Sequence, residues 1–254
     1  MKKALLTTIL LCVTLTVAAQ TMVVQTRHNH GLKGPVHIVQ TAWFYDTGDG
    51  YAIGVTEVEV FDTAGRLLHT LEMSQDGLDD NTHYTYDGLG RLLTETYSTH
   101  EPYTDTYHYD IDGRMAFIVR KFVEAYSQYD DTMTVEKYDS QGRPVELKTN
   151  GRLQYYQYWP NGEIKHKSEP DTKYNAYYNE CGQLDSVIAI AGRFYNRYNE
   201  KDDLVSEDNY TSTAHFHSDY TYDFIDKHGN WTERTVKSEG DVNSFSRRTI
   251  IYYE

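Results

Sequence analysis

One octapeptide recurs along the chain and constrains its fold more than any other feature. FDTAGRLL begins at Phe61, YDGLGRLL at Tyr86, YDIDGRMA at Tyr109 and YDSQGRPV at Tyr138. Looser copies follow as YWPNGEIK from Tyr158, YNECGQLD from Tyr178, YNEKDDLV from Tyr198 and IDKHGNWT from Ile225. The starts are 25, 23, 29, 20, 20, 20 and 27 residues apart. The four strict copies share an aromatic residue, Asp, two variable positions, Gly and Arg. This is turn chemistry: an Asp side chain holds the backbone amide two residues on, and a Gly at the fourth position accepts the positive φ of a type I turn with a G1 bulge. The turn pairs are Asp62 with Gly65, Asp87 with Gly90, Asp110 with Gly113, Asp139 with Gly142 and Asp226 with Gly229, and Gly162 and Gly182 hold the fourth position in degenerate copies.

The flanks of these turns alternate with the period of strands. Tyr103, Asp105, Tyr107 and Tyr109 share one face and Thr104, Thr106 and His108 the other. Val58 and Val60 alternate with Glu57 and Glu59, and Tyr220, Tyr222 and Phe224 fall together, as do Ile250 and Tyr252. A unit of about twenty residues holds two strands of ordinary length and their turns, so each repeat is one hairpin. A lone hairpin is marginal in water, and neighbours must stack edge to edge. The expected fold is all-β: an array of antiparallel hairpins forming one long twisted or spiralling sheet. The 24 tyrosines suit a thin sheet, where a ring covers apolar neighbours and its hydroxyl reaches water.

Lys2 and Lys3, the apolar run Ala4 to Val17 and the small residues Ala18 and Ala19 read as a secretory signal peptide over residues 1–19. Leu11 stands where a lipobox before Cys12 needs a small residue. Polar residues 20–30 are expected to be a disordered leader, and 31–254 a single repeat domain. Gly31 to Pro35 leads into a strand from Val36 to Phe44, and Arg247 to Tyr253 reads as a closing strand. The longest irregular insertions are expected near Ser74 to Asn81 and Ser206 to His217. The exported product would be periplasmic, surface-bound or secreted, with no further transmembrane segment. Its net charge of −14 disfavours nucleic acid as a partner. Cys181 alone survives signal cleavage, so no internal disulfide forms, and it sits at a turn without a motif around it.

The YDxxGRL turns resemble the YD-repeat, or RHS-repeat, family of bacterial surface and secreted proteins, whose hairpins form spiralling sheets. The likeness spans Phe61 to about Thr232, and LKGPVHIV and DKHGNWTER resemble opening and closing motifs of small exported RHS-like proteins. Large members enclose a C-terminal toxin in a repeat shell and release it by self-cleavage. This chain has too few repeats for such a shell, lacks the DPxGL-like cleavage motif and has no toxin after its last hairpin, so that role is not carried over. YWPNGEIK also resembles the hairpins of MORN-type and related antitoxin repeats.

No residue pattern marks a catalytic centre. His28 with His30, and His215 with His217, each place two imidazoles on one strand face without a third ligand in step. Asp46 to Glu57 has the length of a calcium loop, yet Gly48, Gly50 and Tyr51 occupy positions where ligands or the obligatory Gly belong, and after Asp110 and Asp112, Lys121 replaces the bidentate Glu. No nucleophile elbow, HExxH or phosphate loop is present. Trp43, Trp159 and Trp231 would stack on sugars if exposed, Trp159 being the best placed, or else seal the sheet. No cofactor or metal is expected. The leading expectation is a non-enzymatic binding or structural module of the envelope or extracellular space, meeting an unknown protein or glycan through its sheet face or a free edge. A glycan-active or carbohydrate-binding protein with a groove across the repeats, and an antitoxin or immunity-like protein, are the alternatives.

Overall fold

The computed structural model describes residues 26–123, 130–238 and 241–254, so the signal-peptide region and residues 20–25 of the expected leader lie outside it. Eighteen strands follow in order: β1 Val36–Asp46, β2 Tyr51–Phe61, β3 Leu67–Ser74, β4 Gly77–Tyr86, β5 Leu92–Tyr97, β6 Tyr103–Tyr109, β7 Met115–Phe122, β8 Asp131–Tyr138 and β9 Pro144–Thr149. The second half comprises β10 Arg152–Tyr158, β11 Ile164–Glu169, β12 Tyr174–Tyr178, β13 Leu184–Ala189, β14 Gly192–Tyr198, β15 Leu204–Thr211, β16 His215–Ile225, β17 Trp231–Ser238 and β18 Asp241–Tyr252. A short 3₁₀ turn spans Pro170–Thr172. Among the described residues no helix is long and apolar enough to cross a membrane.

Each strand pairs antiparallel with the next, and β1 pairs with both β2 and β18. The sheet therefore closes on itself as an 18-stranded up-and-down barrel. This corrects the open or spiralling sheet expected from the repeat. Local turn chemistry cannot decide closure, which depends on twist and stagger accumulating around the ring until Thr41 meets Arg248 and Phe44 meets Phe245. Closure also removes the free edges through which strand addition was expected.

Two insertions are likewise corrected. Ser74 to Asn81 holds the tight β3–β4 hairpin, and Ser206 to His217 is mostly strand in β15 and β16, so the polar residues there belong to strands and not to long loops. Register shifts fall at the repeated aromatic residues, for example at Tyr86 and Tyr109. A further shift between Tyr222 and Phe224 turns Phe224 outward, away from the face of Tyr220 and Tyr222, and leaves it 62% exposed.

The inner face carries both the apolar core and much of the charge. Val36, Val39, Phe61 and Leu67 pack with Leu32, and Leu92, Tyr107 and Ile118 form a second cluster. Leu147, Tyr156 and Ile164 form a third. On β2 the alternation places Glu59 inside at 3% exposure while Val58 and Val60 lie outside, the reverse of a simple hydrophobic-in rule. Such acids are tolerated inside only where they are paired or protonated.

Candidate functional site

Strand direction alternates and each repeat spans two strands, so all eight repeat turns line one end of the barrel. In the second copy the Gly90 amide donates to the Asp87 carbonyl and the Asp87 amide to the Arg91 carbonyl, both at 2.9 Å. The Leu89 and Arg91 amides donate to Asp87 Oδ1 at 2.9 and 2.8 Å, and Arg91 Nε donates to Oδ2 at 2.6 Å. The Arg91 amide leads the groups that hold the Asp87 carboxyl below its ordinary pKa. Gly65, Gly90, Gly113, Gly142, Gly162, Gly182 and Gly229 have φ between +77° and +100°, and Asp202 occupies the same position at +63°. Asp62, Asp110, Asp139 and Asp226 accept the corresponding amides.

The repeated arginine and tyrosine couple one hairpin to the next. Arg91 lies 4.1 Å from the Tyr109 ring centroid, and Tyr109 Oη donates to the Leu92 carbonyl at 2.8 Å. Arg66 with Tyr86, Arg114 with Tyr138 and Arg143 with Tyr158 repeat the arrangement. Turn chemistry explains Asp and Gly in the motif, and Arg serves twice, bonding the Asp of its own turn and lying over the ring of the next repeat.

That end of the barrel is strapped. Thr26 to His30, the described part of the expected leader, lie against the turns: Thr26 bridges to Arg66 and the Arg27 amide donates to Gly65 O at 2.9 Å. Asn29 Nδ2 reaches Glu163 Oε2 at 3.2 Å. The β2–β3 and β10–β11 turns thus lie nearly opposite in the ring yet touch residues two apart, a stretch of chain of about 7 Å. The mouth is narrow here. Beyond it the Lys33 amide donates to Asn230 Oδ1 at 2.7 Å, and Asn230 Nδ2 donates back to the Lys33 carbonyl at 2.8 Å.

Beneath the strap, His30 forms a short ion pair with Glu59 inside the barrel. Burial alone would depress the imidazole, but Glu59 outweighs it and raises the His30 pKa. Burial pushes Glu59 up, while the charge and hydrogen bond of His30 bring it below its ordinary value. Burial, with Glu59 adding repulsion, raises Glu57 to about 8. Further round, burial raises Glu95 to about 7, with Asp105 second, although Tyr107 Oη donates to it at 3.2 Å. Arg120 grips Asp105 through two hydrogen bonds of 2.8 and 2.7 Å. Tyr220 Oη donates to Glu207 at 3.1 Å. The inner charges are thus arranged to hold one another.

A different environment lies on the outer face, at the end away from the strap. A cleft of about 770 Å³ is lined by Asp185, Ile190, Arg193, Tyr195, Arg197, Asp208 and Tyr210, among others. Arg193, Tyr195 and Arg197 alternate along β14, so they share a face, with Tyr210 and Asp208 opposite on β15. Tyr195 and Tyr210 meet edge to face at 6.0 Å, and Tyr210 stacks on His215 at 4.1 Å. Asp208 is covered by His215 and His217, each 2.9 Å from its Oδ1, and their hydrogen bonds hold its carboxyl below the ordinary range. The side chains of Arg193 and Arg197 have no ion pair or hydrogen bond among the described residues.

The remaining sequence candidates fall elsewhere. His28 and His30 do not converge, since His30 is taken by Glu59, and His215 and His217 share Asp208. Among the described residues no group of three or more His, Cys, Asp or Glu is arranged for a metal ion. Asp46 accepts from the Gly48 amide at 2.7 Å, within the β1–β2 turn. Burial raises the Cys181 thiol, the opposite of what a reactive cysteine needs. Trp231 is 7% exposed and lies between Arg234 and Arg248. Trp159 is half-buried, its Nε1 donating to Tyr178 O at 2.9 Å with Lys165 over the ring, so it does not offer the open face expected of it. Sequence reading missed the cleft; the RxYxR alternation on β14 was its one visible signal.

Architecture and site together define a closed antiparallel barrel with one strapped mouth and an aromatic, cationic cleft on its outer wall. No family model matches the sequence, and no curated protein matches it. Among solved structures, the TcdB2-TccC3-Cdc42 crystal structure is similar over 82% of this chain at 14% identity and a TM-score of 0.36. The Photorhabdus luminescens Tc holotoxin pore is similar over 79% at 14% identity and 0.37. This chain spans only 14% and 13% of those two chains. A porin-like protein from Bacteroides uniformis ATCC 8492 is covered over 99% of its length, against 86% of this chain, at 10% identity and 0.41. These likenesses are loose.

Proposed function

We propose that the chain is an exported, non-enzymatic binding module of the YD-repeat type, working in the periplasm, at the cell surface or outside the cell, with the β13–β15 cleft as its contact site for a glycan or protein. The observation that carries this is the cleft itself: a half-buried Tyr195, an exposed Tyr210 and unpaired guanidinium groups on a rigid sheet, a combination enriched where proteins meet ligands. The inner charges favour a structural role, since Glu57, Glu95 and Glu207, the acids that burial raises, face neighbours inside the barrel. Lys121, Glu136 and Lys148 are exposed on the outer faces of β7 to β9. Those positions suit water better than a lipid band.

An array of envelope polysaccharides and oligosaccharides, probed with the parent protein and with a Tyr195→Ala, Tyr210→Ala variant, tests the proposal. Binding that the variant loses while it melts at the parental temperature supports it. Binding untouched by the variant, or catalytic turnover of an arrayed glycan, overturns it.

A further inference from the structure

We infer that the outer cleft takes a carboxylate-bearing oligosaccharide, with a sugar ring on Tyr195 or Tyr210 and its carboxylate held by Arg193 or Arg197; this rests on the binding role proposed above.

Elsewhere in the barrel Arg66, Arg91, Arg120, Arg143 and Arg247 each have an acid partner within 2.6–2.7 Å. Arg193 and Arg197 stand in a chain with 38 acidic residues against 24 basic ones, and still neither guanidinium pairs with any described residue. Asp185 and Asp208 line the same cleft without engaging them, and Asp208 is turned to His215 and His217. A free guanidinium fork presents two parallel donors that match a carboxylate. Each arginine stands two residues from Tyr195, about 6.6 Å along the strand, so a ligand lying over the ring has a fork at either end.

Charge density and architecture then select among acidic ligands. At physiological ionic strength fields decay over about 8 Å, so the two arginines act locally while the −14 net charge still opposes densely charged polymers. This disfavours nucleic acid and favours spaced carboxylates. An acidic peptide bound as an extended strand would need a free edge, which the closed barrel does not have. A sugar needs none. Its hydroxyls find an acceptor in Asp185 and hydroxyl partners in Thr211 and Ser212, all lining the cleft.

Calorimetric titration of the full chain with tetragalacturonate, with a neutral galactose tetrasaccharide and with tetraglutamate tests this, alongside the Arg193→Gln, Arg197→Gln variant, which changes two exposed side chains and should match the parent by circular dichroism. Tetragalacturonate should bind at least tenfold more tightly than either comparison ligand, and the double variant should lose that margin. If the neutral sugar binds equally well, the arginine variant is unaffected and Tyr195→Ala abolishes binding, the acidic ligand is wrong while the binding cleft stands. Preference for tetraglutamate would overturn the sugar in favour of a peptide. Binding of none of the three at millimolar concentration overturns the acidic sugar, and the array then decides whether the cleft binds anything.

Discussion

Arg91 lies 4.1 Å from the ring centroid of Tyr109, in the next repeat, while Tyr109 Oη returns a hydrogen bond to the carbonyl of Leu92. Each of the four strict repeats thereby grips its successor with the same two side chains. A double-mutant cycle of Arg91→Ala and Tyr109→Phe, with Tyr109→Leu to remove the ring, should show coupling of about 0.5–1 kcal/mol in urea unfolding for the ring and less for the hydroxyl alone. Strict additivity would mean the contact does not couple the hairpins.

Gly90 has φ +83°, and a Cβ there would stand 2.9 Å from Arg66 Nη1. Gly90→Val should cost at least about 1–2 kcal/mol, the penalty of the left-handed region for ordinary residues. Gly88, where an added Cβ meets nothing within 4 Å, is the control, and Gly88→Ala should be close to neutral. Asp202 holds φ +63° without being glycine, so Asp202→Gly should stabilise, by up to about 1 kcal/mol. Equal melting temperatures for Gly90→Val and parent would remove the hairpin account of the repeat.

Stability should fall as pH rises from about 4.5 to 8. Folded Glu95 keeps its proton up to about pH 7 and folded Glu57 to about 8, whereas both release it near 4.5 when unfolded. Across that window the native state binds more protons, and the stabilisation present below 4.5 is lost as pH climbs through the folded values. For Glu95 the difference corresponds to about 3 kcal/mol. Glu95→Gln should flatten the profile between pH 5 and 8 in thermal melts. A parent whose melting temperature rises steadily to pH 8 would contradict this assignment.

Breaking the His30–Glu59 pair should loosen the strap. His30→Ala leaves a buried carboxylate without its partner, a change that costs about 3–5 kcal/mol where a buried pair is broken. Adding Glu59→Gln should recover much of that loss, because no charge is then stranded. Hydrogen exchange at the amides of Arg27 and Leu32, which donate to Gly65 and Arg27 carbonyls, should accelerate in the single variant more than in the double. Identical behaviour of the two variants would show that the ion pair does not hold the strap.

Turn sites, strand phase and the all-β class were legible in the sequence because each depends on a few adjacent residues. Asp87 and Gly90 need only their own loop to make a turn, and Tyr103, Asp105, Tyr107 and Tyr109 need only the two-residue period to share a face. Which face points inward was not legible on β2, since Glu57 and Glu59 are inside for the sake of His30, more than twenty residues upstream, and Arg248 across the closure. Closure itself, the strap across the turn end, and the cleft uniting Arg193 and Tyr195 with Tyr210 arose only in the tertiary structure. They depend on twist summed over eighteen strands and on contacts between distant segments. An octapeptide can specify its own turn, but the meeting of β1 with β18 is a property of the whole ring.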